Sequence, residues 1–382
     1  MQEKNQNRLV FLDALRIAAM FAMVQGHAID ALGDPKIFDI NSMPWSLWSF
    51  IRGFTAPIFL IVSGMVQVFA NKIDDGKVLD KNIFSKRINM GIILCLIGYL
   101  LMFSAENIFY FIDGYKATLP SFSIFNILQL IGTCLIISNL IFRRISSLKV
   151  LLFTTLSLTI LFLSLSQLFI DLPKLSEYDY LATNLLNGEG GSIFPMFPNA
   201  SFFFFGISLG LLLKQFANDN KLEFIKKYFP FAGIGLILLS HIWIDYSFTN
   251  LNEYLLSFTR GIFPPIISRS GIVLLFISLF AYLNSKFNSN RLFIMNLANR
   301  ALWVYIVHLM IIFGTPLFKS FNFYYAKSLD LLPSIGIAAL VEILSFAIVI
   351  RLDYYLRNKK NSKLYFRYGI FVYLLFVLLL RK

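Results

Sequence analysis

The first apolar segment of the sequence carries Asp13, Arg16, His27 and Asp30 among residues that would otherwise face lipid. Eleven residues separate Arg16 from His27. At about 100° per residue a helix returns them to within about 20° of one face. Asp13 precedes Arg16 by three positions and Asp30 follows His27 by three, so each carboxylate can pair with its neighbour along that stripe. Histidine titrates near neutral pH, and a carboxylate on its second nitrogen fixes the tautomer and raises its basicity. The pattern predicts proton abstraction, with His27 as base and Asp30 as its orienting partner. A buried Arg16–Asp13 pair that only locks helices together is the plainer alternative.

Four further cationic or imidazole groups sit in apolar surroundings. His241 and Asp245 are four residues apart near the outer end of a later segment, where they can bind an acceptor or hold the helix end. His308 falls midway along another segment and reads either as a packing histidine or as a ligand. The three histidines are expected at different depths, and no HxxxH or HExxH spacing occurs, so no metal is expected. Arg52 and Arg269 lie about two turns below the outer surface. Each can neutralise Asp30 or steady an anionic or carbonyl group near His27. Asn126 and Gln129 are uncharged and one turn apart, a pairing that commonly joins membrane helices.

The elements that must position these groups are membrane helices. Of 382 residues, 57% are hydrophobic and 14% charged, with 42 phenylalanines. A water-soluble core is excluded, because soluble domains are about half apolar and a quarter charged. Apolar runs predict helices near 9–31, 46–70, 84–104, 122–142, 149–170, 199–216, 227–245, 264–283, 298–318, 331–350 and 366–380. The expected fold is an all-α polytopic membrane bundle of about eleven spans, ten if the last and shortest does not cross. Only helices satisfy their backbone within hydrocarbon. The first run carries Asp13 and Arg16 and lacks a small-residue cleavage pattern, so it reads as a retained helix. Cys95 and Cys134 both fall in apolar stretches, which gives a disulfide framework no basis.

Orientation follows from the basic residues. They gather at alternate connections, among them Lys72, Lys77, Lys81, Lys86 and Arg87, then Arg143, Arg144 and Lys149, then Arg357, Lys359, Lys360 and Lys363. The positive-inside rule places these connections and the amino terminus in the cytoplasm. The net charge of +13 is therefore a topological signal and not a nucleic-acid footprint. Arg16 then lies in the inner half of the bilayer and His27 near the outer surface, about 16 Å apart along the helix. The long connection 171–198 falls outside, as a solvated loop or a lid over an external site. No internal repeat or soluble appendage is seen, so residues 1–382 are expected to form one membrane domain.

The residues now become recognisable. Arg8-Leu-Val-Phe-Leu-Asp13-Ala-Leu-Arg16 with Gln25-Gly-His27 resembles the first-helix signature of bacterial relatives of heparan-alpha-glucosaminide N-acetyltransferase. These sit within a wider transmembrane acyltransferase superfamily. The arginine, ten residues, histidine spacing is also similar to that of the acyltransferase-3 family. The resemblance continues through Arg52-Gly-Phe-Thr-Ala-Pro-Ile-Phe-Leu-Ile-Val-Ser-Gly64 and Ile127-Leu-Gln129-Leu-Ile-Gly132. It returns in Phe194-Pro-Met-Phe-Pro198 with Phe205-Gly206, and in Tyr305-Ile-Val-His308. Two positions depart from it, Ile17 after Arg16 and Asn199 after the second proline, and these bear on the acceptor subclass.

The resemblance implies that acetyl-CoA enters from the cytoplasm and that acetyl is delivered to a sugar or glycan on the far side of the cell membrane. Lys86, Arg87, Arg143, Arg144 and Arg300 would then draw the CoA phosphates, with Arg16 along the pantetheine arm and Gln129 also among the residues that bind the donor. Arg52, His241, Asp245, Arg269 and His308 would meet the acceptor. His27 either deprotonates the acceptor or carries a transient acetyl group. The rival class is a transporter or flippase for an anionic solute or lipid-linked sugar, since intramembrane Arg and Asp also suit a translocation path; paired broken helices, its usual signature, are not seen. Oligomeric state, homo-oligomers included, is left open.

Overall fold

The computed structural model describes residues 8–102, 124–170, 180–186, 191–217, 220–242, 263–314, 319–357, 368–369 and 371–372. Among these the chain forms helices and no strand. In order they are α1 Val10–Leu32, α2 Trp45–Arg52, α3 Thr55–Ala70, α4 Lys81–Met102, α5 Ile127–Arg144, α6 Leu148–Ile170, α7 Tyr180–Leu186 and α8 Met196–Phe216. Then come α9 Lys221–His241, α10 Phe263–Tyr282, α11 Asn284–Ser289, α12 Arg291–Ala298, α13 Ala301–Phe313, α14 Phe321–Tyr325 and α15 Leu331–Arg357.

Seven stretches among the described residues are long and apolar enough to cross a bilayer: α1, α2 with α3, α5, α6, α8, α10 and α15. An eighth arises if α12 and α13 count as one broken span, bent by 56°. The helices α4 and α9 also coincide with expected segments, but each opens with a charged turn, Lys81 to Arg87 and Lys221 to Lys227. The fold is thus all-α and polytopic. The expected segment 366–380 lies outside the described residues, apart from 368–369 and 371–372, and so do residues 171–179 and 187–190 of the connection 171–198.

One expected segment is corrected. Residues 298–318 are not a single span, because the chain bends between α12 and α13, and α13 ends at Gly314 with φ of 83°. The thirteen residues of α13 cover about 20 Å, well short of a hydrocarbon core of about 30 Å.

The chain divides into two compact units. The first comprises Met1–Thr55, Asp245–Thr259 and Phe276–Arg381; the second comprises Ala56–Ile244, Arg260–Leu275 and Lys382. In the first, α1 is the central element, packed by α2, α11, α12, α13, α14 and α15. Most of its residues are buried, so it can carry charges without presenting them to lipid. Its last carbonyls would otherwise lack partners. The segment after α14 supplies them: Lys327 and Ser328 donate backbone N–H groups to Ala31 and Leu32, at 3.1 and 3.0 Å, and the Lys327 ammonium reaches the Asp30 carbonyl.

In the second unit, helices cross where side chains are absent. A Cβ on Gly64 of α3 would strike the backbone of Phe203 in α8, and one on Gly206 would strike Ile61. Between membrane helices, where lipid is as apolar as the partner, close backbone packing of this kind supplies much of the association energy. Ser208 of α8 adds a 2.8 Å hydroxyl bond to Thr155 of α6.

Candidate active site

Two imidazoles from distant parts of the chain meet in the first unit. His27 Nδ1 lies 2.9 Å from His308 Nε2, with the rings stacked at 5.2 Å between centroids. The expected difference in depth between them is therefore corrected. Its cause is the shortness of α13: His308 stands five residues before Phe313, and His27 stands five before Leu32. Arg8 donates to Asn299 Oδ1 at 3.0 Å, tying the amino end of α1 to the turn before α13.

The surroundings of His308 fix the protons. Its Nδ1 lies 3.0 Å from the Val304 carbonyl, which can only accept, so Nδ1 carries the hydrogen. In a neutral imidazole Nε2 is then a lone pair, and His27 must donate to it from Nδ1. This leaves Nε2 of His27 unprotonated, the nitrogen able to take a proton from a substrate. His308 is fully buried and His27 half-buried; Tyr305 sets its ring edge against His308 at 5.4 Å.

The carboxylate expected beside His27 is held elsewhere, a second correction, whereas Asp13 keeps its expected ion pair with Arg16 as the looser of two. Asp30 forms its ion pair with Arg52. Arg52 also donates to the Gly26 carbonyl at 3.3 Å and lies over the Trp48 ring at 4.7 Å. Gly26 is required for this approach, because a Cβ there would fall 2.6 Å from Arg52 Cδ. Asp13 is gripped by both arms of Arg8, at 2.5 and 2.8 Å, while Arg16 stands at 4.0 Å. A planar guanidinium fork satisfies both carboxylate oxygens at once, which the spacing of three residues does not. Arg16 is left with a buried Nε–H that has no partner among the described residues.

Glu342 of α15 was missed by the sequence reading. It is buried and accepts a 3.1 Å bond from Gln25, two residues before His27. A lone carboxylate in an apolar run was the available signal.

The remaining candidates do not converge on this pair within the first unit. Arg300 is engaged by Asp353 and donates to the Asn296 carbonyl at 2.9 Å. In the second unit, Gln129 is not interhelical glue but part of a capping box. Asn126 accepts from Leu128 N–H at 2.9 Å, and Gln129 Oε1 accepts from Asn126 N–H at 3.3 Å. Arg87 donates to Asn71 at 2.7 Å, and Arg143 to the Leu79 carbonyl at 3.0 Å. His241 Nδ1 sits 2.7 Å from the Ile237 carbonyl at the end of α9. Arg269 is half-buried on α10, and Asp245 lies outside the described residues.

The sequence model of the family described as "Heparan-alpha-glucosaminide N-acetyltransferase, catalytic" matches residues 8–235. Arg16, His27, Asp30, Arg52, Arg87, Gln129 and Arg143 fall within that match; His241, Arg269, Arg300 and His308 fall beyond it. No curated protein matches the chain. The matched region covers more than half of the sequence, and the family implies an acetyltransferase-type enzyme of the membrane. The chain belongs to the heparan-alpha-glucosaminide N-acetyltransferase catalytic family.

Proposed function

We propose that the protein is an acetyl-CoA-dependent transmembrane acetyltransferase that acetylates an amine or hydroxyl of an extracytoplasmic sugar, with His27 as general base. The observation that carries this reading is the hydrogen-bond chain from the Val304 carbonyl through His308 to His27. It presents a neutral imidazole whose Nε2 is free to accept a proton. As the acceptor nitrogen or oxygen attacks the thioester carbonyl, its proton passes to His27 Nε2; the C–S bond breaks, and the departing sulfur recovers a proton from the imidazolium. Throughout, Nδ1–H of His27 keeps its acceptor on His308, so the transient charge is not left without a partner. No carboxylate is needed on Nδ1.

The fit of the acyl donor rests on Arg16, whose buried Nε–H lacks an acceptor and suits a carbonyl or phosphoryl oxygen. Gln129, Arg87 and Arg143 are assigned to the donor as well, whereas Arg300 is given a structural part beside Asp353. On the acceptor side, Arg52 with Asp30 borders the base; His241, Asp245 and Arg269 remain acceptor candidates. The basic connections support a cytoplasmic amino terminus in a cell membrane, and the whole chain is taken as one functional domain.

The test uses purified protein with radiolabelled acetyl-CoA and a glucosamine-terminated oligosaccharide. Label should reach the sugar, and a folded His27→Ala protein should lose about a hundredfold or more. A fully active His27→Ala protein would show the base to be wrong, and a wild type that never labels a sugar would show the acceptor class to be wrong. Rapid quenching without acceptor should trap no acetyl on His27.

A further inference from the structure

Arg87, assigned above to the donor without a contact to argue from, stands among neighbours that do not balance its charge. It projects half-buried from α4, and its Nε–H donates to Asn71 Oδ1 at 2.7 Å. Asn71 passes its own Nδ2 hydrogens to Asn139 Oδ1 at 3.0 Å and Gln67 Oε1 at 3.2 Å. Asn139 in turn donates to the Leu135 carbonyl at 2.7 Å. A carbonyl accepts only, so the direction of every bond back to Arg87 is fixed and the amides cannot flip. All three amide residues are buried.

Neutral amides aim a guanidinium without cancelling its charge. Carboxylates are close in sequence, yet each is taken. Asp74 pairs with Lys214 at 2.6 Å, Asp75 accepts from Leu148 N–H at 2.9 Å, and Asp80 caps α4 through Asn82 and Ile83 N–H. Among the described residues Arg87 has no ion pair. A partly desolvated cation held in one orientation, with its anion not supplied by the chain, is arranged for an anion from outside.

We propose that Arg87 is a phosphate-binding group and that Asn71, backed by Gln67 and Asn139, is its positioning residue. The ligand is a phosphate ester; CoA, which rests on the function proposed above, and an anionic phospholipid headgroup are its two sources. Full-length protein in phosphatidylcholine nanodiscs is titrated with CoA by calorimetry, and phosphatidylglycerol retained through detergent purification is quantified in parallel. Arg87→Gln and Asn71→Leu should weaken one of these by about ten- to a hundredfold. Arg87→Lys should rescue only partly, because an ammonium lacks the planar fork.

Loss of CoA affinity identifies the acyl donor, and loss of lipid retention alone identifies the headgroup. If the variants do not fold, phenylglyoxal labelling of Arg87 in wild type gives the same reading, with protection by CoA or by phosphatidylglycerol expected. No response of either ligand to Arg87 overturns the proposal. A wild type that binds CoA through Arg87 but transfers no acetyl would overturn the reaction instead and leave this site standing.

Discussion

Replacing His308 tests the proton arithmetic directly. The substitution His308→Ala removes the acceptor of the 2.9 Å bond from His27 Nδ1, and His308 is fully buried, so water does not readily take its place. A buried donor left without an acceptor costs about 1–3 kcal/mol. The same loss releases the tautomer of His27, so that Nε2 can hold the hydrogen and cease to be a base. Acetyl transfer to the sugar should therefore fall by about five- to 150-fold in kcat/KM. The substitution His308→Gln, which can place an amide oxygen near the former Nε2, should recover most of the loss. Thermal unfolding of each variant separates this from misfolding. The decisive comparison is the double variant: because His308 acts only through His27, adding His308→Ala to His27→Ala should slow the enzyme by no more than about twofold further. Full activity in His308→Ala, or losses that multiply in the double variant, would refute the relay.

Three other outcomes follow from the same structure. Asp30 pairs with Arg52 from a half-exposed position, so Asp30→Asn should shift stability by less than about 1 kcal/mol and leave most of the acetyl-transfer rate, as thermal unfolding and the label assay would show. Asp13 is 4% exposed in its ion pair with Arg8, and Asp13→Asn should cost about 3–5 kcal/mol, visible as a fall in unfolding midpoint. Gly64→Val should abolish monodisperse protein on size exclusion, since the added carbon meets the Phe203 backbone and not a movable side chain.

The helices and the polar character of α1 were legible because both are local. Hydropathy over about twenty residues marks a span, and nine of the eleven expected segments coincide with helices in the described residues. Arg16, His27 and Asp30 stood out since ionisable groups in hydrocarbon are costly to keep. The break between α12 and α13 was not legible from hydropathy, which runs on across Asn299 and Arg300. Asn126 and Gln129 misled for a similar reason: the apolar run begins before the helix does, so a capping box looked like two mid-helix amides.

What the sequence determined by itself is a set of oily helices and one that carries charge. Which charge meets which was decided by packing. Asp30 is three residues from His27, yet a guanidinium from α2 claims it, because a permanent cation attracts a carboxylate more strongly than a neutral imidazole does. His27 instead finds His308, 281 positions away. No periodicity encodes that distance; it follows from the length of α13 and the angle at which it leaves α12, and those fix the nitrogen on which the proton rests.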